Sequence, residues 1–165
     1  MPNKNYILSK EVAEKKLQRM AYEIIERNID EDHIILAGIK ENGVVIAKKM
    51  LALLQPIFKG DLSLIEISVD KKNLSEINIS SEINFTEKVI IVTDDVVNGG
   101  RTLLYALKPI LEFYPRKIQT LVLVERTHKA FPVTSDYVGL SVATTREEHI
   151  IVEVEGEEIN GAYMI

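Results

Sequence analysis

The sequence predicts an α/β fold with a mainly parallel central sheet flanked by helices, and three observations carry that expectation. Continuous apolar runs at Ile34-Ile35-Leu36-Ala37-Gly38-Ile39, at Val89-Ile90-Ile91-Val92 and from Ile118 to Val124 fit strands covered on both faces. The first two are followed by a polar or glycine turn and then by apolar residues at helical spacing, the unit from which right-handed parallel crossovers are built. The length, 165 residues, suits one compact domain with a sizeable core.

Taken in order, Ser9 is placed to cap a helix in which Val12, Ala13, Leu17, Met20, Ala21, Ile24 and Ile25 recur at three- and four-residue steps up to Asn28. Its other face carries Lys10, Glu14, Lys15, Gln18, Arg19 and Glu26 and reads as solvated surface. After the strand ending at Ile39 and the tetrad Lys40-Glu41-Asn42-Gly43, the residues Val44, Ile46, Ala47, Met50, Leu51 and Leu54 return to helical spacing. Leu62 to Val69 reads as a strand, and Asp70 to Asn84 as a long loop or irregular hairpin of the kind that often serves as a lid. Val89 to Val92 is a buried strand, and Leu103 to Phe113 is expected to be a helix bent by Pro109. Ile118 to Val124 forms the next strand, and Tyr137-Val138-Gly139 with Ile150-Ile151-Val152 are expected to give short strands closing one edge.

Composition removes several function classes. Twenty basic and 25 acidic side chains leave a formal charge of -5, which argues against a protein held to nucleic acid mainly by phosphate neutralisation. With no cysteine, disulfides, thiolate nucleophiles and Cys-ligated metals are excluded. Met1 to Tyr6 lacks the apolar stretch of a secretory signal, and no apolar run reaches the ~20 residues that span a bilayer, so a cytoplasmic location without membrane partners is expected. No fixed-period repeat is visible, and the prolines do not cluster into a linker.

Chemistry concentrates in Asp94-Asp95-Val96-Val97-Asn98-Gly99-Gly100-Arg101-Thr102, between a buried strand and a helix. Ligands of open α/β sheets collect at the carboxyl ends of strands, and a glycine turn opening a helix offers free N–H groups to an anion. Gly99 and Gly100 allow close backbone approach, while Arg101 and Thr102 add a cation and a hydroxyl, so the segment describes a phosphate cradle. Two carboxylates just upstream can accept hydrogen bonds from a sugar diol or help to hold a hydrated Mg2+. Asp, Asn and Gly are also common at any strand end or turn, and it is the placement between strand and helix that favours the functional reading. The segment is neither a Walker A loop nor a dinucleotide fingerprint. The three histidines show no zinc spacing, and Ser9 is better explained as a cap than as a nucleophile.

Asp94 to Thr102 resembles the signature of type I phosphoribosyltransferases. The likeness extends toward the pyrimidine operon attenuator and uracil phosphoribosyltransferase group. Gly38-Ile39-Lys40-Glu41-Asn42-Gly43-Val44 resembles its pyrophosphate loop, and Ile118 to His128, with Pro132 and Asp136-Tyr137-Val138-Gly139, its next strand and base-side region. The resemblance implies a single-domain type I phosphoribosyltransferase-like fold over residues 1–165, with a flexible hood at about 70–84. It implies transfer of a phosphoribosyl group from 5-phosphoribosyl 1-pyrophosphate (PRPP) to a nucleobase, with uracil giving UMP and pyrophosphate, and Mg2+ as the cofactor.

On that resemblance, Asp94 and Asp95 are the catalytic carboxylates and the metal-side residues. Lys40, Glu41, Asn42 and Gly43 meet the pyrophosphate. Val97, Asn98, Gly99, Gly100, Arg101 and Thr102 bind the 5-phosphate, and Arg126, Thr127 and His128 border the base. The implied partners are PRPP, a nucleobase, a nucleoside monophosphate and further copies of the chain in a homodimer or higher homo-oligomer. The chain departs from the family pattern at Gly99, where Thr is usual, at Asn42, where Arg is usual, and in the hood, which reads Val69-Asp70-Lys71-Lys72-Asn73. Asn98 stands where purine-specific relatives carry an acid, which leans away from purines. The alternative is a catalytically weak nucleotide sensor, or an RNA-binding pyrimidine regulator using the same pocket. RNA is not favoured, since in the segment from Lys129 to Ser135 only Lys129 is basic.

Overall fold

The computed structural model describes residues 3–70, 72–74 and 76–165. Met1 and Pro2 of the N-terminal reading, Lys71 of the hood segment and Ser75 lie outside the described residues.

The parallel sheet is built as expected, with longer strands. The strands β2 (His33–Ile39), β3 (Asp61–Val69), β4 (Ile77–Ile79), β5 (Val89–Val97), β6 (Lys117–Arg126) and β7 (Tyr137–Val142) form one six-stranded sheet in the order β4-β3-β2-β5-β6-β7. All its pairings are parallel except β3 with β4, the hairpin that accounts for part of the 70–84 segment. Period-two alternation sends successive residues of the central strands to opposite faces. Ile34, Leu36, Val89, Ile91, Leu121 and Leu123 join one apolar cluster with helices α1 (Lys10–Arg27) and α2 (Asn42–Leu54). Ile35, Ala37, Ile90, Val92 and Val122 join a second cluster with Phe85, Ile110 and helix α3 (Arg101–Ala106). Cover on both faces is why these strands read as unbroken apolar runs.

Ser9 caps α1 as expected, its hydroxyl accepting the Val12 N–H at 3.2 Å. Val12 itself is 43% exposed and does not belong to the buried face.

Three expectations need correction. The helix expected from Leu103 to Phe113 ends at Ala106 and continues as tight turns in which Leu107 and Lys108 donate three residues back, to Leu104 and Tyr105. Pro109 has no N–H to donate and disfavours helical backbone at Lys108, so it stops the helix instead of bending it. Leu103, Ala106 and Ile110 are buried all the same, which is why the apolar spacing suggested a longer helix. The second correction concerns the C-terminal strands. Tyr137-Val138-Gly139 does lie in the edge strand of the main sheet, but β8 (Ile150–Glu155) and β9 (Glu158–Met164) leave that sheet. They pair antiparallel with each other, and β9 pairs with β1 (Asn5–Ser9), giving a three-stranded sheet in the order β1-β9-β8. Its buried residues Leu8, Ile150, Val152, Ile159 and Ala162 pack into the cluster of α1 and α2. Finally, β1 itself was not anticipated. It is five residues long and has one buried side chain, Leu8, so it carries no alternation to read.

Among the described residues, no helix is long and apolar enough to cross a membrane.

Candidate functional site

The strand order places the site. From β2 the chain passes through α2 to β3 on one side, and from β5 through α3 to β6 on the other, so the connections diverge between β2 and β5. A crevice opens at the carboxyl ends of two such strands. A cavity of about 570 Å3 lies there, lined by Ile39 at the end of β2 and residues 40–42 after it, by Ser68 and Val69 of β3, and by residues 94–103.

The loop after β2 is bound tightly to β5. A Cβ at Gly43 would lie 2.6 Å from the Thr93 carbonyl oxygen, so only glycine allows this approach. The buried Thr93 hydroxyl donates to the Gly43 carbonyl at 2.7 Å. The Lys40 N–H donates to the Ile67 carbonyl at 2.8 Å, and the Lys40–Glu41 peptide is cis. Lys40, Glu41 and Asn42 reach the cavity wall, whereas Gly43 lies beneath it as a spacer.

β5 runs on past Val92 through both aspartates, which therefore stand on the strand itself. Asp94 Oδ1 accepts the Asp95 N–H at 2.9 Å, and Asp95 Oδ1 accepts the Val96 N–H at 2.8 Å. Asp95 Oδ2 accepts the side-chain amide of Asn42 at 2.9 Å. Both carboxylates are half-buried.

The glycine turn follows. Gly100 has φ +89°, a left-handed conformation that glycine adopts without strain, and its carbonyl accepts the Leu104 N–H at 3.0 Å. The Gly99 carbonyl accepts the N–H groups of both Ala130 and Phe131 at 3.1 Å, which ties the turn to the segment after β6. The Arg101 guanidinium lies 5.0 Å from the Phe131 ring centroid. Along the cavity wall, the carboxylates of Glu41, Asp94 and Asp95 stand beside the cations Lys40 and Arg101. Lys40 Nζ also lies 3.5 Å from a Glu66 carboxylate oxygen.

Among the described residues, no group of three or more His, Asp or Glu side chains could by itself enclose a metal ion. Asp94 and Asp95 nevertheless fit Mg2+, which is commonly held by one or two carboxylates together with waters and substrate phosphates.

The structure brings together both aspartates, three residues of the first loop and all six of the glycine turn, but not the base-side trio. Arg126, Thr127 and His128 do not line the cavity. Arg126 Nε donates to the Thr144 hydroxyl at 2.6 Å, the Thr127 N–H donates to the Val142 carbonyl at 3.1 Å, and the His128 side chain is exposed. Of the other histidines, His33 opens β2 with Nε2 2.8 Å from the Ser63 hydroxyl, and the His149 backbone pairs with Ile165. Ser68 and Val69 were missed, because only the pairing of β3 with β2 carries them to the cavity.

The Phosphoribosyl transferase domain model matches residues 5–158. A pyrimidine operon regulatory protein of Lactococcus lactis is 34% identical over 164 residues, covering 96% of this chain and 95% of the relative. A protein of Enterococcus faecalis named bifunctional protein pyrR is 35% identical over 164 residues, covering 94% and 92%. Among solved structures, the hypoxanthine phosphoribosyltransferase of Trypanosoma cruzi superposes with a TM-score of 0.79 at 14% identity, covering 95% of each chain, which establishes the shared fold. With the family model spanning the six-stranded sheet and both cavity loops, the chain belongs to the phosphoribosyl transferase domain family and is similar over nearly its whole length to pyrimidine operon regulatory proteins.

Proposed function

We propose that the protein transfers the phosphoribosyl group of PRPP to a nucleobase, with uracil giving UMP and pyrophosphate. The observation that carries this reading is that one cavity joins two carboxylates, a left-handed glycine turn and the loop after β2. Asp94 and Asp95 accept hydrogen bonds from the ribose hydroxyls. Their charge also favours the oxocarbenium-like transition state in which positive charge builds on the sugar as pyrophosphate leaves. The turn from Val97 to Thr102 presents backbone N–H groups and the Thr102 hydroxyl to the 5-phosphate. Lys40 to Asn42 meet the pyrophosphate on a loop that Gly43 seats against β5, and Asp94 and Asp95 are the residues that would hold Mg2+. When bound, that ion neutralises phosphate oxygens and orients the sugar. The 70–84 segment, in which β4 pairs with β3, is the part of the chain that would exclude water from the sugar during transfer.

Arg126, Thr127 and His128 border the base on this reading. The pairing of Val97 with Glu125 supports them, since it sets the trio just past the carboxyl end of β5. Uracil is favoured by the relatives named for the pyrimidine operon and by Asn98. A second reading, a nucleotide sensor with little turnover, draws on Glu41 and Asn42, which leave the loop without an unpaired cation because Lys40 is engaged by Glu66. Its RNA-binding form is opposed by Lys129, whose ammonium pairs with Glu125 at 3.0 Å while its side chain is only 14% exposed.

Calorimetry against PRPP, UMP and GMP with Mg2+, followed by turnover with a panel of bases, tests both readings. The transferase reading expects PRPP binding and formation of UMP and pyrophosphate from uracil. PRPP and UMP binding without turnover on any base would favour the sensor, and no binding of any phosphoribosyl ligand would defeat both.

A further inference from the structure

β3 reaches the cavity with a polar side chain near its end. Period-two alternation sends Leu62, Leu64, Glu66 and Ser68 to one face of the strand and Ile65, Ile67 and Val69 to the other. The contacts agree with this division. Leu62 and Leu64 pack on the cluster of α1 and α2, whereas Ile65, Ile67 and Val69 belong with the cluster of α3. Glu66 comes within 3.5 Å of Lys40 Nζ. Ser68 is the next residue on that face, and it lines the cavity half-buried. No hydrogen bond among the described residues engages its hydroxyl.

The strand order fixes what lies beside it. β2 sits between β3 and β5, so the 40–42 loop emerges between their carboxyl ends. On the β3 side, the Lys40 N–H donates to the carbonyl of Ile67, the residue before Ser68. On the β5 side, the Asn42 amide donates to Asp95. A group seated on this loop inside the cavity is therefore flanked by Ser68 and by Asp95, with the glycine turn beyond β5. We infer that Ser68 is a further binding residue for the leaving group, its hydroxyl donating a hydrogen bond to a pyrophosphate oxygen at the β3 edge of the pocket. The inference rests on the reading of the 40–42 loop as the pyrophosphate side. Pyrophosphate presents acceptor oxygens and needs donors around it. The wall beside the loop supplies few charged ones, since Glu41 and Asp95 are carboxylates and Lys40 shares its ammonium with Glu66. A serine hydroxyl adds a donor without adding charge, and with no internal bond to give up it turns freely toward the ligand. Val69, its neighbour on the wall, has no side-chain donor to offer.

The test is titration calorimetry of inorganic pyrophosphate and of UMP, each at fixed Mg2+, on the wild type, Ser68→Ala and Ser68→Thr. UMP carries no pyrophosphate and occupies the aspartates and the glycine turn on the same reading, so it is the control ligand. Loss of one hydrogen bond to a charged group predicts about tenfold weaker pyrophosphate binding by Ser68→Ala, with UMP affinity unchanged. Ser68→Thr keeps the hydroxyl on a residue type that suits a strand, and it should bind pyrophosphate much as the wild type does. Unchanged pyrophosphate affinity in Ser68→Ala would overturn the role of Ser68 alone. Equal weakening of both ligands, together with a lower Tm, would overturn it too, since a merely structural serine behaves that way. A wild type that binds UMP but not pyrophosphate would overturn the pyrophosphate side of the pocket and Ser68 with it. A wild type that binds neither would overturn the phosphoribosyl reading as a whole.

Discussion

Gly100 and Val133 meet with no room for another atom: a Cβ at position 100 would lie 2.6 Å from Val133 Cγ1. Position 100 also has φ +89°, which L side chains rarely adopt. The glycine turn is thus held from within by its own backbone and from outside by the segment after β6, which also bonds the Gly99 carbonyl. Its neighbour is different. A Cβ at Gly99 would meet only Ala130 Cβ at 4.0 Å, and Gly99 is not among the positive-φ residues.

The two glycines should therefore respond in opposite ways. Gly100→Ala is expected to lose ~1–3 kcal/mol of stability through backbone strain and the clash, and to weaken UMP binding as the turn shifts. Gly99→Thr has room for its Cβ and adds a hydroxyl to the turn proposed to bind the 5-phosphate. It is expected to fold normally and to bind UMP several-fold more tightly, as suits one added hydrogen bond of ~0.5–1.5 kcal/mol. Urea titration and calorimetry measure both variants. Equal loss of stability in the two would contradict the described turn.

Asp94→Asn and Asp95→Asn are each expected to weaken Mg2+-dependent PRPP binding by about ten- to a hundredfold, because a charged acceptor for a ribose hydroxyl is removed. Neither carboxylate is enclosed in the core, so both variants should melt close to the wild type. Normal PRPP affinity in both variants would remove the ribose assignment.

The main sheet was legible because each central strand is buried on two faces and reads as an unbroken apolar run. The acidic pair and glycine turn were legible because they sit in a single stretch of chain. The rest depended on distant pairing. Glu153 in β8 faces Gly161 in β9, and Gly161 in turn faces Ser9, a relation that no local pattern contains. Ser68 and Val69 reach the cavity only because β3 lies beside β2. The expected helix to Phe113 failed because burial of Ile110 imitates helical spacing while Pro109 forbids the backbone bonds.

Alkaline pH should expose the polar network beneath α1. Burial pushes the Tyr137 hydroxyl up from 10.0 to about 12, against the lowering effect of its hydrogen bond with Asn28. A raised value in the folded state means that this contribution to stability is complete below pH 10 and is lost as pH rises toward 12. Urea midpoints for the wild type should fall across that window. In Tyr137→Phe the fall should be shallower, from a lower starting stability, because the bonds to Asn28 and Gln119 are gone. Parallel curves for the two proteins would show that another group controls the alkaline transition.

Thr93→Val separates the anchor of the 40–43 loop from the groups that would contact ligand. The substitution keeps the volume of a fully buried side chain and removes only the hydroxyl that donates to Gly43. The loss of one intramolecular hydrogen bond is worth ~1 kcal/mol, or a drop in Tm of about 2–4 °C for a chain of this size. If that bond fixes the loop over β5, pyrophosphate affinity should fall by several-fold while ribose 5-phosphate affinity changes little, since Asp94, Asp95 and the glycine turn keep their own backbone bonds. Calorimetry with each ligand, alongside a melting curve, reads the three quantities. A Tm drop with both affinities unchanged would mean that the close packing of Gly43 on Thr93 holds the loop without the hydroxyl. Equal weakening of both ligands would mean that the two halves of the pocket move as one body.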